Sequence, residues 1–233
     1  MPSTRHRGPH PLDAELFSSQ KHEVLREATS DLSWLLDRQY PIVAALKIVG
    51  DKFMLQERQR LVLRRCACSQ KARERRQEKR VSSAELRARP LVIDGFNCII
   101  TLESALSGGA IFRGQDGAIR DLASVHGSYR RVSETQMAIT QLHEVIEKAM
   151  PSSVTWYLDS PVSNSGRLAG MIRELTNNEV RLVCNPDRAV LEDDSWVVAS
   201  SDAWVIDHCS AWYDLTSQAV EALPNSWCID LNV

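Results

Sequence analysis

Four aspartates occupy similar places in the sequence, each at or soon after the end of a short apolar segment. Asp94 ends LVID, Asp159 ends VTWYLD, Asp202 follows WVVASS directly, and Asp187 follows VRLVC by three residues. Burying a lone carboxylate is costly, whereas several carboxylates around Mg²⁺ or Mn²⁺ form a stable set of oxygen ligands. The pattern therefore predicts a Mg²⁺ or Mn²⁺ site, with these four residues as metal ligands and as the catalytic residues of a reaction at the cation.

The segments that carry these aspartates have the composition of strands buried on both faces. Strands are expected at 91–94, 154–159, 180–184, 196–201 and 227–231, and helices near 133–149, 165–176, 186–192, 203–208 and 217–223. This alternation predicts an α/β domain with a mostly parallel sheet over residues 90–233. The carboxyl ends of parallel strands meet at one edge, where ligands bind, so the four aspartates are expected to share that edge.

Each aspartate also has a simpler interpretation when it is taken alone. A single Asp at the end of a strand is commonly a helix N-cap or a turn residue. Asp187 is a good candidate for such a role because it follows Asn185 and Pro186. Four acids expected at one edge are harder to explain as independent caps, and this coincidence favours the cation site.

Polar residues close to these acids are candidates for substrate contacts. Asn97, three residues after Asp94, offers a neutral oxygen ligand or a group that orients a bound water. Ser163 and Ser165 lie in a polar turn before an expected helix, where backbone amides favour a phosphate. The alternative for this turn is an ordinary serine N-cap.

The interval 101–132 is too long for a loop that only connects two elements, and it is predicted to be a functional loop. Its segment 107–131 contains five glycines. It also contains the arginines Arg113, Arg120, Arg130 and Arg131. Arg120 and its neighbours are candidate phosphate contacts, although a loop arginine is often simply solvated.

Charge is unevenly distributed along the chain, although the formal net charge is only −2. Residues 52–89 contain thirteen Lys or Arg and four Asp or Glu, whereas residues 90–233 contain nine and nineteen. A basic middle beside an acidic C-terminal part predicts that the middle, with the run 71–89, contacts a polyanion such as nucleic acid. The alternative is a solvated helix with charge pairs along its surface.

The N-terminal part of the chain has a helical pattern rather than a strand pattern. Residues 1–12 are expected to be a flexible tail, 13–68 a small all-α domain, and 69–89 a basic helix that runs into a linker. No apolar run reaches the length of a membrane helix, and the first fifteen residues lack the apolar core of a signal peptide. We therefore expect a cytoplasmic protein without membrane contact, and the sequence leaves open whether it forms a homo-oligomer.

Two motifs resemble those of the PIN-like nuclease superfamily, especially its NYN branch. They are VIDGFN, with Asp94 and Asn97, and NPDRAVLEDDSWVVASSDAW, with Asp187, Arg188, Ser200 and Asp202. The resemblance covers residues 90–233 and implies a three-layer α/β/α domain, Mg²⁺ or Mn²⁺ at the acids, and hydrolysis of RNA phosphodiesters. It adds Arg188 and Ser200 to the expected substrate contacts. The whole chain also resembles an uncharacterised prokaryotic family that pairs a basic helical module with such a domain.

Other interpretations remain open from the sequence. Many PIN-like domains carry a further acid after the first strand, and Asp121, Glu134 and Glu144 are the candidates here. The main alternative function is a non-catalytic module that binds nucleic acid or protein on a PIN-like scaffold. A phosphotransferase or phosphatase with an aspartate nucleophile is a weaker alternative, because Phe96 stands where a second Asp is usual. The sequence contains no phosphate-binding P-loop motif, no HExxH zinc motif and no GxSxG motif.

Overall fold

The structure is a computed structural model that describes residues 8–123, 129 and 132–232. Its helices, α1 to α12 in chain order, are Asp13–Leu16, Ser19–Asp37, Ile42–Lys52, Glu57–Cys66, Gln70–Lys79, Ser83–Leu86, Gly95–Leu106, Thr135–Ala149, Ser165–Thr176, Pro186–Ala189, Ala203–His208 and Leu215–Glu221. Its strands, β1 to β7, are Pro90–Asp94, Ile111–Arg113, Ile119–Arg120, Ser153–Asp159, Glu179–Val183, Val197–Ala199 and Cys228–Asp230. The structure confirms the predicted α/β fold with a mostly parallel sheet after a helical N-terminal region.

Four strands form the main sheet in the order β5-β4-β1-β6, and all three pairings are parallel. Successive residues of a strand point to opposite faces. Leu91 and Ile93 of β1 accordingly join a hydrophobic cluster with α7, α8, α9 and α12. Val92 joins a second cluster on the other face with residues of α10 and α11. Helices therefore cover both faces of the sheet, which gives three layers.

Helix α7 corrects the expectation for the chain after β1. The sequence predicts no helix at Gly95–Leu106 and a loop over 101–132, but the structure has α7 there, followed by the hairpin β2–β3. Ten of the twelve residues of α7 are buried, so GFNCIITLESAL lacks the polar face that identifies a surface helix. The hairpin turns at Gly117, whose φ of +88° lies in the left-handed region that suits glycine.

A second, smaller sheet corrects the expectation for the last strand. Strand β7 pairs with β2 rather than with the main sheet, in the order β3-β2-β7. The N-terminal helices pack against this sheet, and the rings of Phe17 and Phe112 meet edge to face with centroids 4.9 Å apart. The helices expected over 13–68 thus share one hydrophobic core with the small sheet.

Helix α4 carries basic residues on the side that is turned away from this core. A capping box of Gln56 and Gln59 starts the helix, and Val62 and Leu63 are buried. Arg64 lies on the exposed side. Among the helices that the structure describes, none is long and apolar enough to span a membrane.

Candidate functional site

Asp94 ends β1, an inner strand of the main sheet, and its side chain is only 6% exposed. Ser200 Oγ donates a 2.9 Å hydrogen bond to Asp94 Oδ2, and the backbone N–H of Asn97 donates a 3.4 Å bond to Oδ1. Burial, followed by the charges of Asp187 and Asp202, raises the pKa of Asp94 to about 7, although the two hydrogen bonds oppose the shift. Asp94 thus titrates near neutral pH.

The helix after Asp94 approaches strand β4 closely because its first residue is Gly95. A Cβ atom at Gly95 would lie 2.6 Å from Leu158 Cδ2 and 3.1 Å from the Tyr157 carbonyl oxygen. Distances this short force neighbouring atoms to move. The absence of a side chain at Gly95 therefore lets α7 bring Asn97 close to the edge of the sheet.

Asn97 fixes the turn that carries Asp202. Its side-chain oxygen accepts hydrogen bonds from the Ser201 N–H at 2.8 Å and from Ser201 Oγ at 2.9 Å. The N–H of Asp202 donates to Ser200 Oγ at 3.1 Å, and Asp202 Oδ1 accepts from the Trp204 N–H at 2.8 Å as the N-cap of α11. Asp202 is therefore a helix N-cap, which is the alternative role that the sequence analysis gave to such an aspartate. The cap holds one of its carboxylate oxygens in a fixed position.

Asp187 and Asp159 lie near the same edge. Asp187 is exposed in the first turn of α10, where the N-cap is Asn185, whose side chain accepts the Arg188 N–H at 3.1 Å. Partial loss of solvent around the carboxylate is the main cause that raises the pKa of Asp187, and the charges of Asp202 and Asp159 raise it further. Burial also raises the pKa of Asp159. The structure thus brings Asp94, Asp187 and Asp202 within electrostatic range of one another, and Asp159 within range of Asp187.

The donor set at this edge consists of oxygen atoms, which are the ligands that Mg²⁺ and Mn²⁺ prefer. Within the described part of the chain, no three His, Cys, Asp or Glu side chains form a ready-made metal site. Mg²⁺ commonly keeps several waters and binds through one or two carboxylates. The chemistry of the residues therefore fits a hydrated divalent cation, with Asp94 and Asp202 as the best-oriented carboxylates, rather than a site closed by protein ligands.

The other predicted substrate contacts have different surroundings. Ser200 is buried and donates to Asp94, so it orients the acid instead of facing a substrate. Ser165 is buried at the start of α9, and the exposed Ser163 accepts the Tyr129 N–H at its carbonyl oxygen. Neither serine caps α9, whose N-cap is Asn164. Arg188 is exposed on α10.

Arg120 has a structural role that the sequence does not reveal. Its guanidinium is buried and donates two hydrogen bonds, of 2.8 and 2.7 Å, to the carboxylate of Asp116. Its Nε donates a 2.8 Å bond to the carbonyl oxygen of Ser201. Arg120 thus holds the turn before Asp202 as a positioning residue, and because it also lines the pocket there, its contact with a phosphate stays a prediction.

Three arginines of the basic run 71–89 pair with acids of the same chain. Arg76 donates to Asp116 at 2.7 Å and to both carboxylate oxygens of Asp207 at 2.9 and 2.8 Å. Arg75 also binds Asp207, and Arg80 binds Asp214 at 2.9 Å. Arg76 is therefore buried among acids of its own chain, whereas contact between the rest of the run and a polyanion stays a prediction.

A pocket of about 560 Å³ opens beside Asn97 and Asp202. Its opposite wall is helix α4, which contributes Arg64 and Arg65. Of the three candidates for a further acid, Asp121 lines this pocket, whereas Glu134 and Glu144 do not. Arg130 and Arg131 lie outside the described residues.

The sequence analysis missed the arginines of α4. In the sequence, Arg64 and Arg65 are visible only as two basic residues in the last turn of an amphipathic helix. This pattern does not indicate which part of the fold their side chains face. Asp116, the shared partner of Arg76 and Arg120, was also missed because it lies in a hairpin that was taken for a loop.

Comparisons with known proteins give two family matches and one relative. Residues 83–218 match the "Domain of unknown function (DUF5616)", and residues 24–79 match the "Protein of unknown function (DUF434)". The chain is 32% identical over 204 residues to an uncharacterised protein, MJ0935, from Methanocaldococcus jannaschii, across 85% of this chain and 98% of the relative. No solved structure matches. The expected pairing of two uncharacterised regions is confirmed, and the chain belongs to the family defined by the DUF5616 domain.

Proposed function

We propose that this protein is a divalent-metal-dependent ribonuclease. The observation that carries the proposal is Asp94, a buried carboxylate at the end of an inner strand whose pKa is raised to about 7 by burial and by neighbouring acids. A carboxylate this poorly solvated, beside further acids, is typical of functional sites. A divalent cation would relieve the repulsion between these acids.

The substrate class follows from two observations. Arginines of α4 line the pocket beside Asp202, and positive side chains next to a cation site suit a polyanionic backbone. The motifs around Asp94 and Asp202 resemble those of PIN-like nucleases, which favours RNA over other phosphodiesters. Both observations support a phosphodiesterase that acts on RNA.

Each group at the edge has a role in this proposal. When bound, Mg²⁺ or Mn²⁺ would activate a water and offset charge on the scissile phosphate. Ser200 and the Asn97 N–H fix the two oxygens of Asp94 at the end of β1. Asn97 and Arg120 hold Ser201 from two sides, which keeps Asp202 in place. Asp159 and Asp187 add negative charge, and with it cation affinity, at the outer part of the edge.

A non-catalytic module that binds nucleic acid is the second candidate. It is favoured by one observation, namely that no three potential ligands form a compact metal site among the described residues. In that case the raised pKa of Asp94 would reflect only its burial as the N-cap of α7. The two candidates differ in whether RNA is cut.

Incubation of a 5′-labelled single-stranded RNA with the protein distinguishes them. We expect cleavage in Mn²⁺ or Mg²⁺, and none in EDTA. Asp94→Asn and Asp202→Asn should each abolish cleavage but keep RNA affinity close to that of the wild type, because phosphate contacts come from other residues. Asp193→Asn, at an exposed acid outside the pocket, is the matched control. Tight RNA binding without metal-dependent cleavage would favour the binding module.

A further inference from the structure

The pocket beside Asp202 lies between two parts of the chain that match different families. Helix α4, in the segment that matches DUF434, forms one wall, and α7 with the turn after β6, in the segment that matches DUF5616, forms the other. Its volume of about 560 Å³ lies in the range of clefts that hold one small ligand. The N-terminal helices therefore complete a cleft at the acidic edge.

The two arginines on the α4 wall differ in their contacts. Arg65 donates to the carbonyl oxygens of Asp121 and Ala123, the latter at 3.3 Å, so it fixes the chain after β3. Arg64 is exposed and, among the described residues, has no hydrogen bond or ion pair. By contrast, Arg60 on the same helix is bound to Asp51 at 2.8 Å. Arg64 is therefore a cation at the pocket that the fold does not use.

The rest of the pocket is not uniformly charged. Leu61 of α4 and Ile100 of α7 contribute apolar side chains to the same lining as Arg64 and Asn97. A cation, an apolar wall and an amide group together suit a ligand with an anionic part and a flat, weakly polar part that carries hydrogen-bonding groups. A nucleotide has this combination, and a base enters such a cleft only when it is unpaired.

We infer that this pocket binds one unpaired nucleotide of the substrate strand next to the scissile phosphodiester, with Arg64 contacting its phosphate. Leu61 and Ile100 contact the sugar or the base, and Asp202 lies at the boundary between this nucleotide and the cation site. The inference rests on the proposed function, because it assigns a place to the strand that would be cut. It also gives the N-terminal helices a role, which is to supply the phosphate-binding wall of the site.

Binding of a fluorescein-labelled oligouridylate of eight nucleotides, followed by anisotropy in EDTA, tests the inference without catalysis. Arg64→Gln should weaken binding about five-fold, equivalent to about 1 kcal/mol. The plot of log affinity against log salt should become shallower by about 0.7, as expected for one lost contact to a single-stranded phosphate. Arg64→Lys should keep the wild-type salt slope, because it keeps the charge, and lose part of the affinity. Lys148→Gln is the control, since Lys148 is exposed in the last turn of α8, just before β4, at the end of that strand opposite to Asp159.

The outcomes separate the inference from the proposed function. If the wild type cleaves RNA but Arg64→Gln binds with unchanged affinity and salt slope, the inference is wrong and the ribonuclease stands. If Arg64→Gln weakens binding but no metal supports cleavage, the pocket is a nucleotide site and the ribonuclease is wrong. A duplex of the same length that competes as well as the single strand would also overturn the inference, because paired bases do not fit the cleft.

Discussion

Removal of the charge of Asp94 should stabilise the metal-free protein at and above neutral pH. The pKa of this carboxyl is 3.8 in an unperturbed state and about 7 in the folded protein. Each pH unit between these values destabilises the fold by about 1.4 kcal/mol, so at pH 8 the charged carboxyl costs about 4 kcal/mol. Asparagine keeps an acceptor for the Asn97 N–H and offers a donor to Ser200 Oγ, so Asp94→Asn should recover about half or more of this cost.

The sign of the effect depends on pH. Because the folded pKa is raised, the penalty is absent below about pH 4, grows as the pH rises from about 4 to 7, and is complete above that range. In EDTA at pH 8, Asp94→Asn should therefore raise the melting temperature by at least about 4 °C, since 1 kcal/mol corresponds to about 2–4 °C for a chain of this size. The stability of the variant relative to the wild type should therefore fall by about 3 kcal/mol between pH 8 and pH 4.5.

Differential scanning calorimetry of both proteins between pH 4.5 and 8 gives this difference directly. Asp193→Asn is the control with the opposite sign, because hydrogen bonds from Ser195 lower the pKa of Asp193. In excess Mg²⁺ the wild type should gain stability that Asp94→Asn does not. A variant that is less stable than the wild type at every pH, or a difference that does not depend on pH, would refute the electrostatic account of Asp94.

Two further substitutions test how the site is held. Asp116→Asn leaves the buried guanidinium groups of Arg76 and Arg120 without their shared anion, so urea denaturation at pH 7 should show a loss of about 3–5 kcal/mol. Burial alone would raise the pKa of Asp116, but the charges of Arg120 and Arg76 outweigh burial and lower this pKa to about 2. The stability that the Asp116 carboxylate contributes is therefore present above about pH 4 and is lost as the pH falls towards 2. Gly95→Ala places a methyl group against β4, 2.6 Å from Leu158 Cδ2. This substitution should lower the free energy of unfolding by about 1–3 kcal/mol and reduce metal-dependent cleavage. Wild-type stability of the variant would contradict the close packing of α7.

The sequence predicted the four strands of the main sheet and the acids that follow them because these depend on local patterns. A short apolar run that ends in Asp94 or Asp159 identifies both the strand and its end without knowledge of its neighbours. The parallel arrangement of these strands then implies which edge the acids occupy. The order of the strands in the sheet and the separation of β7 from it depend on long-range packing, which no local pattern contains.

The arginines show where sequence reasoning stops. Arg76 belongs to the most basic run of the chain, yet it forms an ion pair with Asp207, which is 131 positions away in the sequence. Arg64 lies outside this run, in α4, yet it lines the pocket. Composition gives the number of charges in a segment, but only the tertiary structure shows which of them have partners. The same limit applies to α7, whose burial on almost every side removes the amphipathic signal.

The central claim is that the acidic edge is a divalent-cation site, and a titration of the purified protein with Mn²⁺, followed by electron paramagnetic resonance of the free ion, tests it most directly. We predict saturable binding to the wild type and to Asp193→Asn, and binding at least about ten-fold weaker, a loss of about 1.4 kcal/mol, for Asp94→Asn. Equal Mn²⁺ affinity in all three proteins would contradict the claim, because it would show that Asp94 does not contribute to cation binding.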